Sequence, residues 1–78
     1  MQFPEFEPTG QPAGDTYLAR CAEVLSPLSR RDRYHWLAVT IEAARERPLT
    51  DGVNAFTKSA IILTLDRWLE QTSVQEAA

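Results

Sequence analysis

The chain has few of the residues with which small proteins supplement a hydrophobic core. Cys21 is the only cysteine and His35 the only histidine among the 78 residues. A disulfide within the chain is therefore excluded, and a structural zinc site, which needs four ligands, is not expected. A domain of this size buries only roughly 60% of its unfolded surface on folding. Because oligomerisation is the remaining support for a marginal core, we expect a homodimer.

Long apolar runs are lacking as well. The longest aliphatic run covers residues 60–63, whereas a membrane-spanning helix needs about 20 predominantly apolar residues. The first five residues have neither the basic region nor the apolar run of a signal peptide. These observations predict a soluble, cytoplasmic protein that does not associate with membranes.

Excess positive charge is also absent. Eight Lys and Arg residues stand against eleven Asp and Glu, which gives a net charge of −3. An acidic protein gains little from non-specific attraction to nucleic acid, so nucleic acid is not the expected partner. A local basic patch is still present in the middle of the chain, at Arg30, Arg31 and Arg33.

Proline and glycine are concentrated in the first 14 residues, which hold three of the five prolines and two of the three glycines. Proline has no N–H to donate and pushes the residue before it toward extended conformations. We therefore predict that residues 1–14 form an extended or disordered segment. Phe3 and Phe6 could pin this segment onto the rest of the protein.

Three segments with helical apolar periodicity follow, at residues 15–25, 29–47 and 52–72. Ser26-Pro27 ends the first segment and Pro48 the second. The fold class expected is an all-α three-helix bundle behind an irregular Pro-rich N-terminal segment, with a disordered tail at 73–78. The candidate N-caps are Asp15 or Thr16 for the first helix, Ser29 with Asp32 as a capping box for the second, and Thr50 or Asp51 for the third.

The third helix is apolar on two opposite sides. One side carries Val53, Phe56, Ala60 and Leu63, and the other carries Ile61, Ile62, Leu65, Trp68 and Leu69. Two neighbouring helices cannot cover both sides, so the N-terminal segment or a second chain must cover the rest. Trp36, Val39 and Ala43 form a similar second stripe on the second helix. The candidate partner-binding residues are Trp36, Val39, Ile61, Ile62, Leu65, Trp68 and Leu69.

These patterns favour a non-catalytic helical protein–protein interaction module. Such a module would be a small adaptor, regulator or inhibitor that binds a larger protein and also self-associates. The alternative is a small DNA-binding transcriptional regulator, in which residues 30–33 begin a recognition helix. The acidic net charge and the absence of glycine from the turn before residue 29 weigh against that alternative.

Catalytic motifs are not apparent in the sequence. There is no glycine-rich phosphate loop, no paired-carboxylate pattern and no metal-ligand spacing. Cys21 lies on the apolar stripe of its helix, where thiols are usually inert. His35 lies on the polar side of its helix with Glu42. We therefore expect neither an enzyme nor a bound cofactor or metal.

Overall fold

The computed structural model describes residues 6–47 and 52–77, and the side chains of this part as far as residue 73. Three helices follow one another: α1 at Pro12–Leu25, α2 at Arg30–Glu46 and α3 at Ala55–Ala77. No strand occurs within the described ranges. The predicted all-α class with three helices is confirmed.

Two helix boundaries differ from those expected. Helix α1 begins at Pro12, so the irregular N-terminal segment is shorter than predicted; residues 6–11 are neither helix nor strand, and residues 1–5 lie outside the described part. Proline suits the first helical position, because the N–H it lacks would have no partner there. Helix α3 begins at Ala55 rather than 52 and continues to Ala77. The prediction of a disordered tail at 73–78 is therefore wrong for residues 73–77.

Hydrogen bonds between Thr9 and Asp15 hold the start of α1, but Asp15 does not occupy the N-cap position. Gln11 is the N-cap residue and makes no side-chain capping bond. Asp15 lies in the first turn, where its Oδ1 accepts hydrogen bonds from Thr9 N at 2.7 Å and Thr9 Oγ1 at 2.9 Å. The prediction that Asp15 or Thr16 is the N-cap is thus wrong, although Asp15 does fix the entry into the helix.

Helix α2 begins and ends where the sequence indicates. Ser29 is its N-cap, and the Ser29 hydroxyl accepts from Asp32 N at 3.2 Å. At the other end Arg47 has extended backbone angles (φ −130°, ψ 156°), as expected of a residue that precedes a proline.

Helix α3 is capped by Asn54, which is not one of the predicted caps. Asn54 Oδ1 accepts from Thr57 N at 2.8 Å, in the manner of an N-cap side chain. The predicted caps Thr50 and Asp51 lie outside the described residues.

The core lies where helices α1 and α2 meet one side of α3. Phe6 from the N-terminal segment packs against it, with its ring edge-on to Trp68 at a centroid distance of 6.3 Å. Helices α2 and α3 make the most extensive helix–helix contact. Burial of each large aliphatic side chain contributes about 1.5–3 kcal/mol. The buried core consists of Leu18, Cys21, Leu25, Leu37, Ile41, Ile61, Leu65 and Trp68.

The first turns of α1 and α3 approach each other closely at Gly14. A Cβ atom on Gly14 would lie 2.6 Å from Thr57 Cγ2 and 2.6 Å from Thr9 Oγ1. Nearby, Gln11 Oε1 accepts a hydrogen bond from Asn54 N at 3.0 Å, which ties the same two helix starts together. The absence of a side chain at position 14 is therefore what allows this packing.

We predict that Gly14→Ala lowers the free energy of unfolding. Overpacking of this kind costs about 1–3 kcal/mol, which exceeds the gain of up to about 1 kcal/mol from replacing a helical glycine. Chemical denaturation followed by circular dichroism measures the change. Thr57→Ser removes the clashing methyl group, so Gly14→Ala combined with Thr57→Ser should recover part of the loss. A single Gly14→Ala variant as stable as the wild type would contradict the packing described.

Candidate functional site

Among the described residues, the most exposed apolar surface is a stripe on the outward side of α3. Phe56 is 80% exposed and Leu63 is 54% exposed, and Ala60 lies between them with partial exposure. Residues at these spacings of four and three share one side of a helix. We call Phe56, Ala60 and Leu63 the Phe56 stripe.

The candidate partner-binding residues of α3 lie mostly on the other side of the helix. Ile61 and Leu65 are completely buried, and Trp68 is 2% exposed. All three pack in the core of a single chain, so their assignment to a partner-binding surface is corrected. Ile62 and Leu69 are half-buried, and Leu69 packs against the core.

The two candidates on α2 have different environments. Trp36 is half-buried and packs against the core, whereas Val39 is 54% exposed. Val39 is therefore the one member of the candidate set that is mainly on the surface.

Two threonines could have indicated which side of α3 faces inward. Thr57 and Thr72 are each 1% exposed, and the Thr72 hydroxyl donates to the Trp68 carbonyl at 2.8 Å. A helical threonine can satisfy its hydroxyl on the carbonyl four residues earlier, so it can lie on a buried face. With these two included, the inward side is a continuous stripe, which consists of Thr57, Ile61, Leu65, Trp68 and Thr72. The outward side has no such continuation.

The basic patch divides into one internal and two outward residues. Arg33 Nε donates to the Leu25 carbonyl at 2.8 Å, and Arg33 Nη2 donates to the Ser26 carbonyl at 2.8 Å. These bonds satisfy carbonyls at the C-terminal end of α1, where a positive charge is also favourable. Arg30 and Arg31 are exposed at the start of α2. A DNA-binding surface would therefore depend on these two arginines without Arg33.

We predict no specific binding of duplex DNA at physiological salt, because the net charge is −3 and Arg33 is engaged within the chain. Fluorescence anisotropy with labelled duplexes measures this. Sub-micromolar binding that falls steeply with salt and is weakened by Arg31→Ala would instead support the DNA-binding alternative.

The buried Cys21 and the half-buried Tyr17 form a pair of weak acids on α1. Burial raises the pKa of the Cys21 thiol from 9.0 to about 11, although a hydrogen bond with Tyr17 partly offsets this rise. Burial, with the neighbouring Cys21, raises the pKa of Tyr17 from 10.0 to about 12. A thiol with a raised pKa is a poor nucleophile at neutral pH. His35 is exposed on α2, and the described residues contain no group of three His, Cys, Asp or Glu that could hold a metal ion.

We predict that stability falls as the pH rises from about 9 through 12. Both groups have raised pKa values in the folded chain, so the folded state retains protons that the unfolded state releases. Their contribution is complete below pH 9 and is lost progressively above it. Denaturation series at several alkaline pH values measure the slope. Cys21→Ala should flatten the part of the slope between pH 9 and 11, and an unchanged slope would contradict the assignment.

An open groove of about 560 Å³ lies between α2 and α3. Ala38, Ile41 and Leu69 supply its apolar surface. Its charged members are Glu42, Arg45, Glu46 and Asp66, of which Arg45 Nη2 and Asp66 Oδ2 are 3.4 Å apart. The groove is thus apolar at its base and predominantly acidic at its edges.

The comparisons with known proteins give no further guide to these surfaces. The chain matches no protein family model, no curated protein and no solved structure. Within the described part of the chain, none of the helices has the length and hydrophobicity required to cross a membrane.

Proposed function

We propose that the chain is a non-catalytic helical module that binds a larger protein by inserting the Phe56 stripe into an apolar groove of that protein. The observation that carries this proposal is the 80% exposure of Phe56. Transfer of a fully exposed phenylalanine into an apolar site contributes about 1.5–3 kcal/mol. Aromatic side chains of this kind often dominate the energetics of protein interfaces.

The spacing of the stripe supports recognition of a helix by a groove. Partners that bind an amphipathic helix in this way use anchors separated by three and four residues. Phe56 and Leu63 are the large anchors, and Ala60 between them leaves space for the walls of the groove. The neighbouring Ser59 hydroxyl donates to the Ala55 carbonyl at 3.1 Å, so it needs no acceptor from the partner.

The area of the Phe56 stripe is limited, so a groove on a larger protein is a better binding partner for it than the same stripe on a second copy of the chain. Exposed side chains such as Phe56 and Leu63 offer a few hundred Å² per chain at most. A stable interface buries about 1,200–2,000 Å² in total, which a groove reaches by enclosing the helix on both sides. Homodimerisation stays a separate prediction. The core position of Ile61, Leu65 and Trp68 removes one of the two apolar surfaces on which that prediction was based.

The test begins with identification of the partner by site-specific photo-crosslinking. A photoreactive amino acid at position 56 should capture the partner, and the same amino acid at the exposed position 39 should not. With the purified partner, Phe56→Gln should weaken binding by about 30-fold, since a hot-spot truncation costs about 2 kcal/mol or more. Calorimetry measures the affinities. The melting temperature should stay unchanged, because Phe56 contributes little to the core.

Val39→Gln is the matched control for this experiment. Val39 and Leu63 are both 54% exposed. Substitution by glutamine therefore removes a similar exposed apolar area at each of the two positions. Leu63→Gln should weaken binding and Val39→Gln should not. The reverse order would place the interface on α2, and light-scattering masses that halve in Phe56→Gln would show that the stripe binds a second copy instead.

A further inference from the structure

We propose that the groove between α2 and α3 binds a basic amphipathic helical segment of a partner protein. This surface is separate from the Phe56 stripe, so the inference goes beyond the proposed function and does not depend on it. Its base of Ala38, Ile41 and Leu69 accepts an apolar side chain, and its acidic edges face the flanking positions of a bound helix.

The charges of the groove favour a cationic ligand. The lining contains three carboxylates, those of Glu42, Glu46 and Asp66, and a single guanidinium, that of Arg45. Arg45 pairs with Asp66, and no ion pair to Glu42 or Glu46 is present among the described residues. The groove therefore has an excess of negative charge that the described part of the chain does not neutralise.

The positions of Glu42 and Glu46 oppose the stability of α2 itself. Carboxylates four residues apart on a helix repel each other by a few tenths of a kcal/mol. Glu46 is also the last residue of α2, where the helix dipole disfavours a negative charge. The Lys58 ammonium donates to the Arg47 carbonyl at 3.0 Å and already offsets part of this dipole penalty. A cationic partner placed between the two carboxylates would lessen their mutual repulsion, so binding and local stability would improve together.

The Arg45–Asp66 pair can open without a large cost. Its side chains are 61% and 40% exposed, and exposed ion pairs contribute about 0–1 kcal/mol. An arriving Lys or Arg can therefore take Asp66 as its partner while Arg45 turns outward. The apolar base distinguishes this ligand from a simple polycation, because it stabilises a bound Leu or Ile side chain by burial.

The experiment uses the full chain and a fluorescein-labelled Leu/Lys peptide of about 18 residues, or five helical turns. Fluorescence anisotropy should show saturable binding at concentrations of roughly 100 μM to 1 mM, because a small apolar base and a few exposed ion pairs contribute only a few kcal/mol. A Leu/Glu peptide of the same pattern should not bind. Glu42→Gln combined with Glu46→Gln should weaken binding of the Leu/Lys peptide by about fivefold or more, since each exposed ion pair contributes up to about 1 kcal/mol.

Matched variants separate the groove from general charge attraction. Glu7→Gln combined with Glu23→Gln changes the net charge equally at exposed positions outside the groove and should leave the affinity within about twofold. Ala38→Phe fills the groove and should abolish binding, whereas Ala43→Phe, at an exposed position of α2 outside the groove lining, should not. Thermal melts establish that each variant is folded.

Several outcomes would overturn the proposal. Two concern the peptides: binding of the Leu/Glu peptide, or no binding of the Leu/Lys peptide. Two concern the variants: an equal loss of affinity in the two double variants, or binding retained by folded Ala38→Phe. Spermine bound as tightly as the peptide would identify a polycation site without an apolar requirement. A dimer that dissociates on Glu42→Gln with Glu46→Gln would show that the occupant is a second copy of the chain.

Discussion

The inward side of α3 is the surface on which the other elements assemble. Leu18, Leu25 and Leu37 from the other two helices pack with Ile61, Leu65 and Trp68 in one cluster, and Phe6 closes it from the N-terminal segment. Among the described residues the buried side chains form this one cluster, and small domains have little stability in reserve to compensate for a loss here. The positions of α1 and of the N-terminal segment therefore both depend on how well they fit this one side.

The fold could be predicted to the extent that it depends on neighbouring residues in the sequence. Ser29 caps α2 and Arg47 ends it because capping and proline restriction act within a few residues. The start of α1 does not follow from the proline content, because proline disrupts a helix interior but favours the first helical position that Pro12 occupies. The inward side of α3 could not be chosen, because Phe56 and Leu65 are equally apolar and only tertiary packing distinguishes them.

The candidate surfaces also combine features that the sequence predicts with features that depend on tertiary packing. The contact of Arg33 with the Leu25 carbonyl is invisible to residue patterns, because every residue has a carbonyl and only the turn geometry selects this one. The groove brings Glu42 and Asp66 together from separate helices. Its prediction would therefore have required the packing angle of α2 on α3. By contrast, the apolar character of both sides of α3 was evident in the sequence, and this excess is what leaves Phe56 exposed.

The close approach at Gly14 also has a consequence for how this sequence can diverge. Position 14 lies against Thr9 and Thr57, and neither contact leaves room for a methyl group. A larger residue at position 14 therefore requires smaller or shifted side chains at both contacts, of which position 57 is the one distant in the sequence. Positions 14 and 57, 43 residues apart in the chain, are therefore expected to change in a fixed order during evolution. A homologue that carries alanine at position 14 should carry serine, alanine or glycine at position 57, together with alanine or glycine at position 9.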